Sequence, residues 1–288
     1  MTPKRISGRL MMILCALLLG ALFPRVVQAQ DEAKVEEYER LIAEAYKALG
    51  NEQADSAVTL FNKAIGLMPK APTNYMIRSN IAEIHLARRD TTLALNELHE
   101  AIRLQPDLIV LRERRAEIFG KLGRYDEALF DYDHIVSLNP KRELSLFNRA
   151  LLKIDMKLYD AAISDLETII QNNDKAYLPR IALASAALKK GDEEQAERIY
   201  NFLISSYPKI PVAYRERARL YISQDRKALA LKDVREVMKR PERVTYEDYL
   251  LRGRIWAMYG ESKEARLDFE KAREMGASEE EVKEAKKF

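Results

Sequence analysis

The sequence is poor in the residues that metal, redox and disulfide sites require. It contains one cysteine, Cys15, and three histidines, His85, His99 and His134. No two of these histidines are four residues apart, the spacing that places two metal ligands on one face of a helix. With a single cysteine the chain forms no internal disulfide, so its stability must come from packing. The sequence therefore predicts no metal and no cofactor.

Motifs for catalysis are also missing. No two of the ten glycines are separated by a single residue, which excludes a glycine-rich phosphate loop of the dinucleotide-binding type. No serine lies in a nucleophile elbow. Asp131 and Asp133 stand close to His134, but on a helix residues two apart point in different directions. We therefore predict that the protein is not an enzyme.

What the sequence does contain is an internal repeat of small residues. The first series consists of Ala82, Ala116, Ala150, Ala184, Ala218 and Gly253, and the second of Ala94, Ala128, Ala162, Ala196, Ala230 and Ala265. Successive members of each series are 34 residues apart, with a single step of 35 at the end. A fixed period of this length is typical of repeat solenoids, whose units bury their apolar faces against their neighbours.

One repeat contains the most complete set of residues with recognisable structural roles. From residue 109 to 140 it carries Ala116, Phe119, Gly123, Tyr125, Ala128, Tyr132 and Pro140. Small residues let two helices approach closely, glycine permits the positive φ that ends the first helix, and proline closes the second. This pattern resembles the tetratricopeptide repeat, although Arg112 and Arg115 stand where that family has tryptophan and leucine. The resemblance implies an all-α, right-handed α-α superhelical solenoid of about seven helical hairpins with a C-terminal capping helix.

The repeat pattern predicts three kinds of segment along the chain. Residues 1–29 form a signal peptide, residues 30–277 the solenoid, and residues 278–288 a charged capping helix that begins with the capping box of Ser278 and Glu281. The predicted repeats are 35–74, 75–108, 109–142, 143–176, 177–210, 211–245 and 246–277. In the first of them, the distance from Gly50 to Ala57 predicts a longer turn between the two helices.

The first 29 residues have the three-part layout of a secretory signal. Lys4, Arg5 and Arg9 precede an apolar run over residues 10–23, and small or modest residues follow up to Ala29. Cleavage after Ala29 is the expectation, and an uncleaved membrane anchor or lipidation at Cys15 are the alternatives. The leader holds four of the 48 basic residues and none of the 45 acidic ones, so cleavage leaves a net charge of −1. We therefore expect an exported protein, periplasmic or associated with the cell envelope, without affinity for nucleic acid.

The predicted binding surface is the groove formed by the first helices of the repeats. At their second, fifth, ninth and twelfth places the residues change from acidic through apolar to basic along the chain. The candidate groove residues are the acidic Glu83, Glu113 and Glu117, the apolar Leu144, Phe147, Leu151, Ile154, Leu178, Ile181 and Leu188, the basic Arg215, Arg219 and Arg254, and the amides Asn80 and Asn148. Exposed apolar patches of this kind usually mark a binding surface.

These residues predict a partner protein or peptide segment with apolar anchors, its basic end near the glutamates and its acidic end near the arginines. Internal packing of the stripe and self-association through it are the alternatives. Family resemblance argues against a clamp for a C-terminal carboxylate, because the ninth places carry no asparagine. The functional expectation is a non-catalytic protein-protein interaction scaffold, or else an assembly or tethering subunit of an outer-membrane, secretion or cell-wall enzyme complex. Contact with a membrane is expected only through the signal peptide or a membrane-bound partner.

Overall fold

A computed structural model describes residues 29–287 of the chain. Residues 1–28 and Phe288 lie outside the described residues. The predicted leader, apart from its last residue Ala29, and Cys15 therefore lie outside them too. The described part contains fifteen α-helices, one short 3-10 helix at Pro241–Arg243 and no strand. The predicted all-α fold is therefore confirmed.

The helices follow one another as antiparallel pairs. The first helices of the pairs are α1 (Ala29–Gly50), α3 (Asn74–Ala87), α5 (Ile109–Lys121), α7 (Glu143–Asp155), α9 (Tyr177–Lys190), α11 (Pro211–Ser223) and α13 (Tyr246–Met258). The second helices are α2 (Ala54–Leu67), α4 (Thr91–Leu104), α6 (Tyr125–Leu138), α8 (Tyr159–Asn172), α10 (Glu193–Ser206), α12 (Lys227–Met238) and α14 (Ser262–Glu274). A last short helix, α15, covers Glu279–Ala285.

The chain divides into two compact units. Unit 1 ends at Ser145 and contains α1 to α6 with the start of α7. Unit 2 begins at Leu146 and contains the rest of α7 with α8 to α15. Each unit has its own buried apolar clusters, such as the one around Tyr38 and Phe61 in unit 1 and the one around Tyr200 and Leu203 in unit 2.

The small residues of both series are buried, as the close packing of helices in a hairpin requires. All eleven alanines are at most 4% exposed. At the glycine of the first series, Gly253, an added Cβ would lie 2.8 Å from Cε1 of Phe269 and 3.2 Å from Cβ of Asp268 on α14. A larger side chain there would force α13 and α14 apart.

The turns inside the hairpins share one backbone conformation. Gly123, Gly191 and Gly260 have positive φ, and at the same place in the other four hairpins Glu52, Arg89, Lys157 and Asp225 adopt it without being glycine. The predicted longer turn in the first repeat is therefore wrong. Gly50 is the last residue of α1, and Glu52 stands five residues before Ala57, as Gly123 does before Ala128.

The predicted C-terminal cap is present. The Ser278 side chain accepts a hydrogen bond from the Glu281 amide, and the Glu281 carboxylate accepts one from the Ser278 amide at 2.8 Å. These bonds satisfy free amides at the start of α15. Val282 is buried against Ala265 and Phe269, so α15 covers the apolar end of the last hairpin.

Within residues 29–287, none of the helices combines the length and the hydrophobicity that crossing a bilayer requires.

Candidate protein-binding surfaces

Unit 1 has a cavity of about 470 Å³ between the first helices α3 and α5. Helix α3 contributes Met76, Ser79, Asn80 and Glu83 to its lining, and α5 contributes Val110, Leu111, Glu113, Arg114 and Glu117. Four of the candidate groove residues, Asn80, Glu83, Glu113 and Glu117, are thus brought together at one site. Its volume is within the range of ordinary ligand clefts.

The carboxylates of this cavity are paired within unit 1. Arg114 binds both oxygens of Glu83, through Nε at 2.6 Å and Nη2 at 2.7 Å, and reaches Glu117 at 3.2 Å. Arg142 binds Glu113 in the same bidentate way, at 2.9 and 3.0 Å, and its hydrogen bonds to that carboxylate raise the pKa of Arg142. The predicted acidic end of the groove is therefore largely neutralised, and Glu117 is the most exposed of the three glutamates.

Two of the predicted polar groove residues are buried. Asn80 is 1% exposed, and its Nδ2 donates a hydrogen bond of 2.7 Å to the Tyr46 hydroxyl of α1. Glu113 is 9% exposed and also accepts a hydrogen bond from Ser145 at 2.7 Å. The expectation that these two side chains face solvent is wrong, because partners from other helices bind them. Asn148 on α7 is half-buried.

The apolar residues of α7 and α9 differ in exposure. Leu144 is 55% exposed, Leu151 is 40% and Leu178 is 62%. Phe147, Ile181 and Leu188 are half-buried, and the last two pack against the cluster around Ala184 and Tyr200. Ile154 is buried, so its predicted exposure is wrong. The stripe is thus partly core and partly open surface, which combines two of the interpretations drawn from the sequence.

The three predicted basic residues lie in unit 2. Arg215 forms a bidentate pair with Asp248, at 2.5 and 2.6 Å, and Arg219 pairs with Glu216. Arg254 lines a cavity of about 480 Å³ with Ile222 and Lys227. Its Nε is buried without a hydrogen-bond partner among the described residues. The expected basic end therefore consists mainly of arginines that are already paired.

The structure also contains a set of ion pairs that sequence reasoning missed. In four hairpins an arginine of the first helix binds an aspartate sixteen residues later on the second: Arg115 with Asp131, Arg149 with Asp165, Arg217 with Asp233, and Arg252 with Asp268. Asp131 is fully buried and accepts a further hydrogen bond from Arg112 at 2.9 Å. The signal was available, since successive arginines, like successive aspartates, are 34, 68 and 35 residues apart, which is the repeat step with one repeat omitted.

Two of the three histidines have polar side-chain contacts. Nε2 of His134 lies 2.9 Å from Oδ1 of Asp107, and His85 is half-buried. Nδ1 of His99 lies 3.3 Å from Nη1 of Arg115. Across residues 29–287, no three histidine or acidic side chains are grouped in a way that suits a metal ion.

Comparison with known proteins decides the family. Family models described as tetratricopeptide repeat match residues 111–142 and 181–241. A tetratricopeptide repeat protein from Parabacteroides merdae, known from a crystal structure, has 31% sequence identity to this chain. The match covers 87% of this chain and 98% of the Parabacteroides chain, with a TM-score of 0.65. The chain is a tetratricopeptide repeat protein. The predicted family is confirmed, and this fold is one that serves as a scaffold for protein-protein interaction.

More distant structures share the fold of this tetratricopeptide repeat protein. PilW, a widely conserved type IV pilus biogenesis factor, is 18% identical over 73% of the chain and 97% of its own length, with a TM-score of 0.60. YrrB, described as having an unusual peptide-binding site, is 18% identical over 66% of the chain and 98% of its own length, with a TM-score of 0.53.

Curated relatives are longer than this protein. DnaJ homolog subfamily C member 3 of Mus musculus is 25% identical over 77% of the chain and 48% of its own length. The Hsp70-Hsp90 organising protein of Plasmodium falciparum is 28% identical over 46% of the chain and 22% of its own length. The chain thus spans about half of the first relative and about a fifth of the second.

Proposed function

We propose that this tetratricopeptide repeat protein is a non-catalytic scaffold that binds an apolar segment of a partner protein on the faces of its first helices. The observation that carries this proposal is the exposure of one repeat position. The second place of the first helix holds Val110, Leu144 and Leu178 in three consecutive repeats, and all three side chains are more than half exposed. Large apolar side chains that recur at one position and face water favour a contact surface.

The free energy that the buried apolar side chains contribute is consistent with a moderate binding affinity. Each apolar side chain that a partner buries contributes about 1.5–3 kcal/mol. Association and the ordering of a flexible segment cost several kcal/mol. Three or four such contacts with additional hydrogen bonds therefore give at most roughly −8 kcal/mol, the free energy of a micromolar complex. The peptide-binding site described for YrrB supports the class of ligand and not its sequence.

We also propose that the protein acts in the periplasm or at the cell envelope. The support is the leader pattern of Lys4, Arg5 and Arg9 before the apolar residues 10–23. Whether its partner belongs to an outer-membrane, secretion or cell-wall enzyme complex follows from the partner's identity.

The experiment is crosslinking in the envelope fraction, followed by identification of the proteins bound. We expect the double variant Val110→Asp/Leu178→Asp to lose the crosslinked partner, because a carboxylate on each site opposes apolar burial. The matched control is Phe130→Asp, since Phe130 is 66% exposed but lies on the second helix α6. Retention of the partner by the double variant, or equal loss in the control, contradicts the proposal.

A further inference from the structure

The fifth repeat breaks the pattern of ion pairs that its neighbours follow. In the second, third, fourth, sixth and seventh repeats, a carboxylate on the second helix binds at least one arginine of the first helix. In the fifth repeat, Arg180 takes the place that Arg112 has in the third, but Ile199 takes the place of Asp131. The arginine is present without its carboxylate.

Arg180 is a buried cation with few partners. It is 9% exposed, and its Nη1 donates a hydrogen bond of 2.9 Å to the carbonyl of Ala176. Its guanidinium carbon lies 5.0 Å from the centre of the Phe202 ring. Among the described residues Arg180 forms no ion pair, although a guanidinium has five N–H donors. Burial of a charge without a counter-charge is unfavourable.

A cavity of about 390 Å³ opens beside this side chain. Arg180 and Arg198 line it together with the apolar Ile170, Ile199 and Phe202. Arg198, the second cation of the cavity, pairs with Glu194 at 2.5 Å and brings no counter-charge to Arg180. Glu197, on the same helix as Ile199, is hydrogen-bonded to Arg226 and Tyr221 and does not compensate Arg180.

This cavity is distinct from the first-helix face described above. It lies between the second helices α8 and α10, with Ile170 on one side and Arg198 on the other. Arg180 is two residues from Leu178, which places the two side chains at different angles around α9.

We propose that this cavity is a second binding site, which receives a glutamate or aspartate side chain flanked by apolar residues from a partner protein. Arg180 binds the incoming carboxylate from the place at which Arg112 binds Asp131 in the third repeat. The planar guanidinium matches a carboxylate in shape and charge. The apolar walls formed by Ile170 and Phe202 contact the neighbouring side chain of the partner.

Two neutral-capped dipeptides test this site on the full chain. The probes are acetyl-Leu-Glu-amide and its uncharged isostere acetyl-Leu-Gln-amide, followed through the Nε–H signals of the arginines by NMR. We expect the glutamate probe to shift the Arg180 signal and to bind roughly tenfold more tightly, since hydrogen bonds to charged groups exceed neutral ones. Equal binding of the two probes overturns the proposal, and so does tighter binding of inorganic phosphate.

Three variants sharpen the test. Arg180→Met removes the guanidinium and is expected to abolish the preference for glutamate, while the control Arg266→Met, at an exposed arginine of α14 outside the cavity, preserves it. Ile199→Asp supplies an internal carboxylate and is expected to block the probe with Arg180 still present, which keeps the test decisive if Arg180→Met does not fold. Unchanged binding by Ile199→Asp contradicts the proposal.

Discussion

The third and fifth repeats share a skeleton and differ in their polar interior. Both bury their two alanines, Ala116 with Ala128 and Ala184 with Ala196, and both turn through a glycine with positive φ. The third repeat then buries Asp131 between two arginines, whereas the fifth has Ile199 at that place. The hairpin of the fifth repeat therefore forms without this ion pair, and its interior is packed by apolar side chains such as Tyr200 and Leu203 instead.

The largest expected effect is a difference in the free energy of unfolding when an arginine is removed from the third or from the fifth repeat. We expect Arg115→Met to lower the free energy of unfolding by about 3 kcal/mol, because it leaves the buried Asp131 with a single arginine. Arg180→Met should stay within about 1 kcal/mol of the wild type, since the variant loses one hydrogen bond to a carbonyl and the contact with the Phe202 ring but leaves no buried carboxylate unpaired. Urea unfolding of both variants measures the difference. Equal losses would show that the two arginines have the same role.

The shared skeleton predicts equal costs for enlarging the alanines. Ala128→Leu in the third repeat and Ala196→Leu in the fifth should each cost roughly 1–3 kcal/mol, because overpacking forces the two helices of a hairpin apart. Ala150→Leu in the fourth repeat should behave in the same way. Thermal unfolding is the measurement, and variants that melt with the wild type would contradict the proposed register of the repeats.

The turns should also respond alike. Gly123 and Gly191 have φ of 72° and 96°, a region that disfavours side chains. Gly123→Ala and Gly191→Ala are each expected to cost roughly 1–2 kcal/mol, as left-handed backbone does for residues with a Cβ. The control is Asp225→Gly, which should stabilise the protein at the equivalent turn of the sixth repeat. A loss of stability in that control would contradict the explanation.

The smallest expected effect concerns Glu197, a carboxylate of the fifth repeat that accepts hydrogen bonds from Arg226 and Tyr221 of the sixth. Hydrogen bonding from Arg226 lowers the pKa of Glu197 below its usual 4.5. Because the pKa of Glu197 is lower in the folded protein than in the unfolded chain, its ionised carboxylate stabilises the fold at pH values above the unfolded-state pKa. This stabilisation is lost as the pH falls through the folded-state pKa. Glu197→Gln should therefore cost at most about 1 kcal/mol at pH 7, and its melting temperature should converge with that of the wild type below pH 4.5. A difference that persists in acid would contradict this origin.

The sequence predicted the repeat architecture well because a close approach of two helices leaves a local signature. Alanine or glycine is required at the crossing of each hairpin, and those positions were visible as two series. The turns were harder to predict, since Glu52, Arg89, Lys157 and Asp225 adopt positive φ without the glycine that would have marked it.

The binding surface was less predictable because exposure depends on neighbours in space. Asn80 donates a hydrogen bond to the hydroxyl of Tyr46, which lies 34 residues earlier in the chain. Ile154 is buried and Leu151 is not, although both occupy groove places on α7. The arginine–aspartate pairs were overlooked because a search along one helix considers residues three or four apart, and these partners lie on two helices.

Site-specific photocrosslinking shows whether the first helices carry the partner-binding face. A benzophenone amino acid is placed in the native envelope at position 110 or 178 on the first helices, or at position 130 on a second helix. The three wild-type side chains are similarly exposed, at 61%, 62% and 66%. We expect a discrete adduct with one partner protein from positions 110 and 178 and none from position 130. An adduct from position 130 alone, or the same products from all three positions, would contradict it.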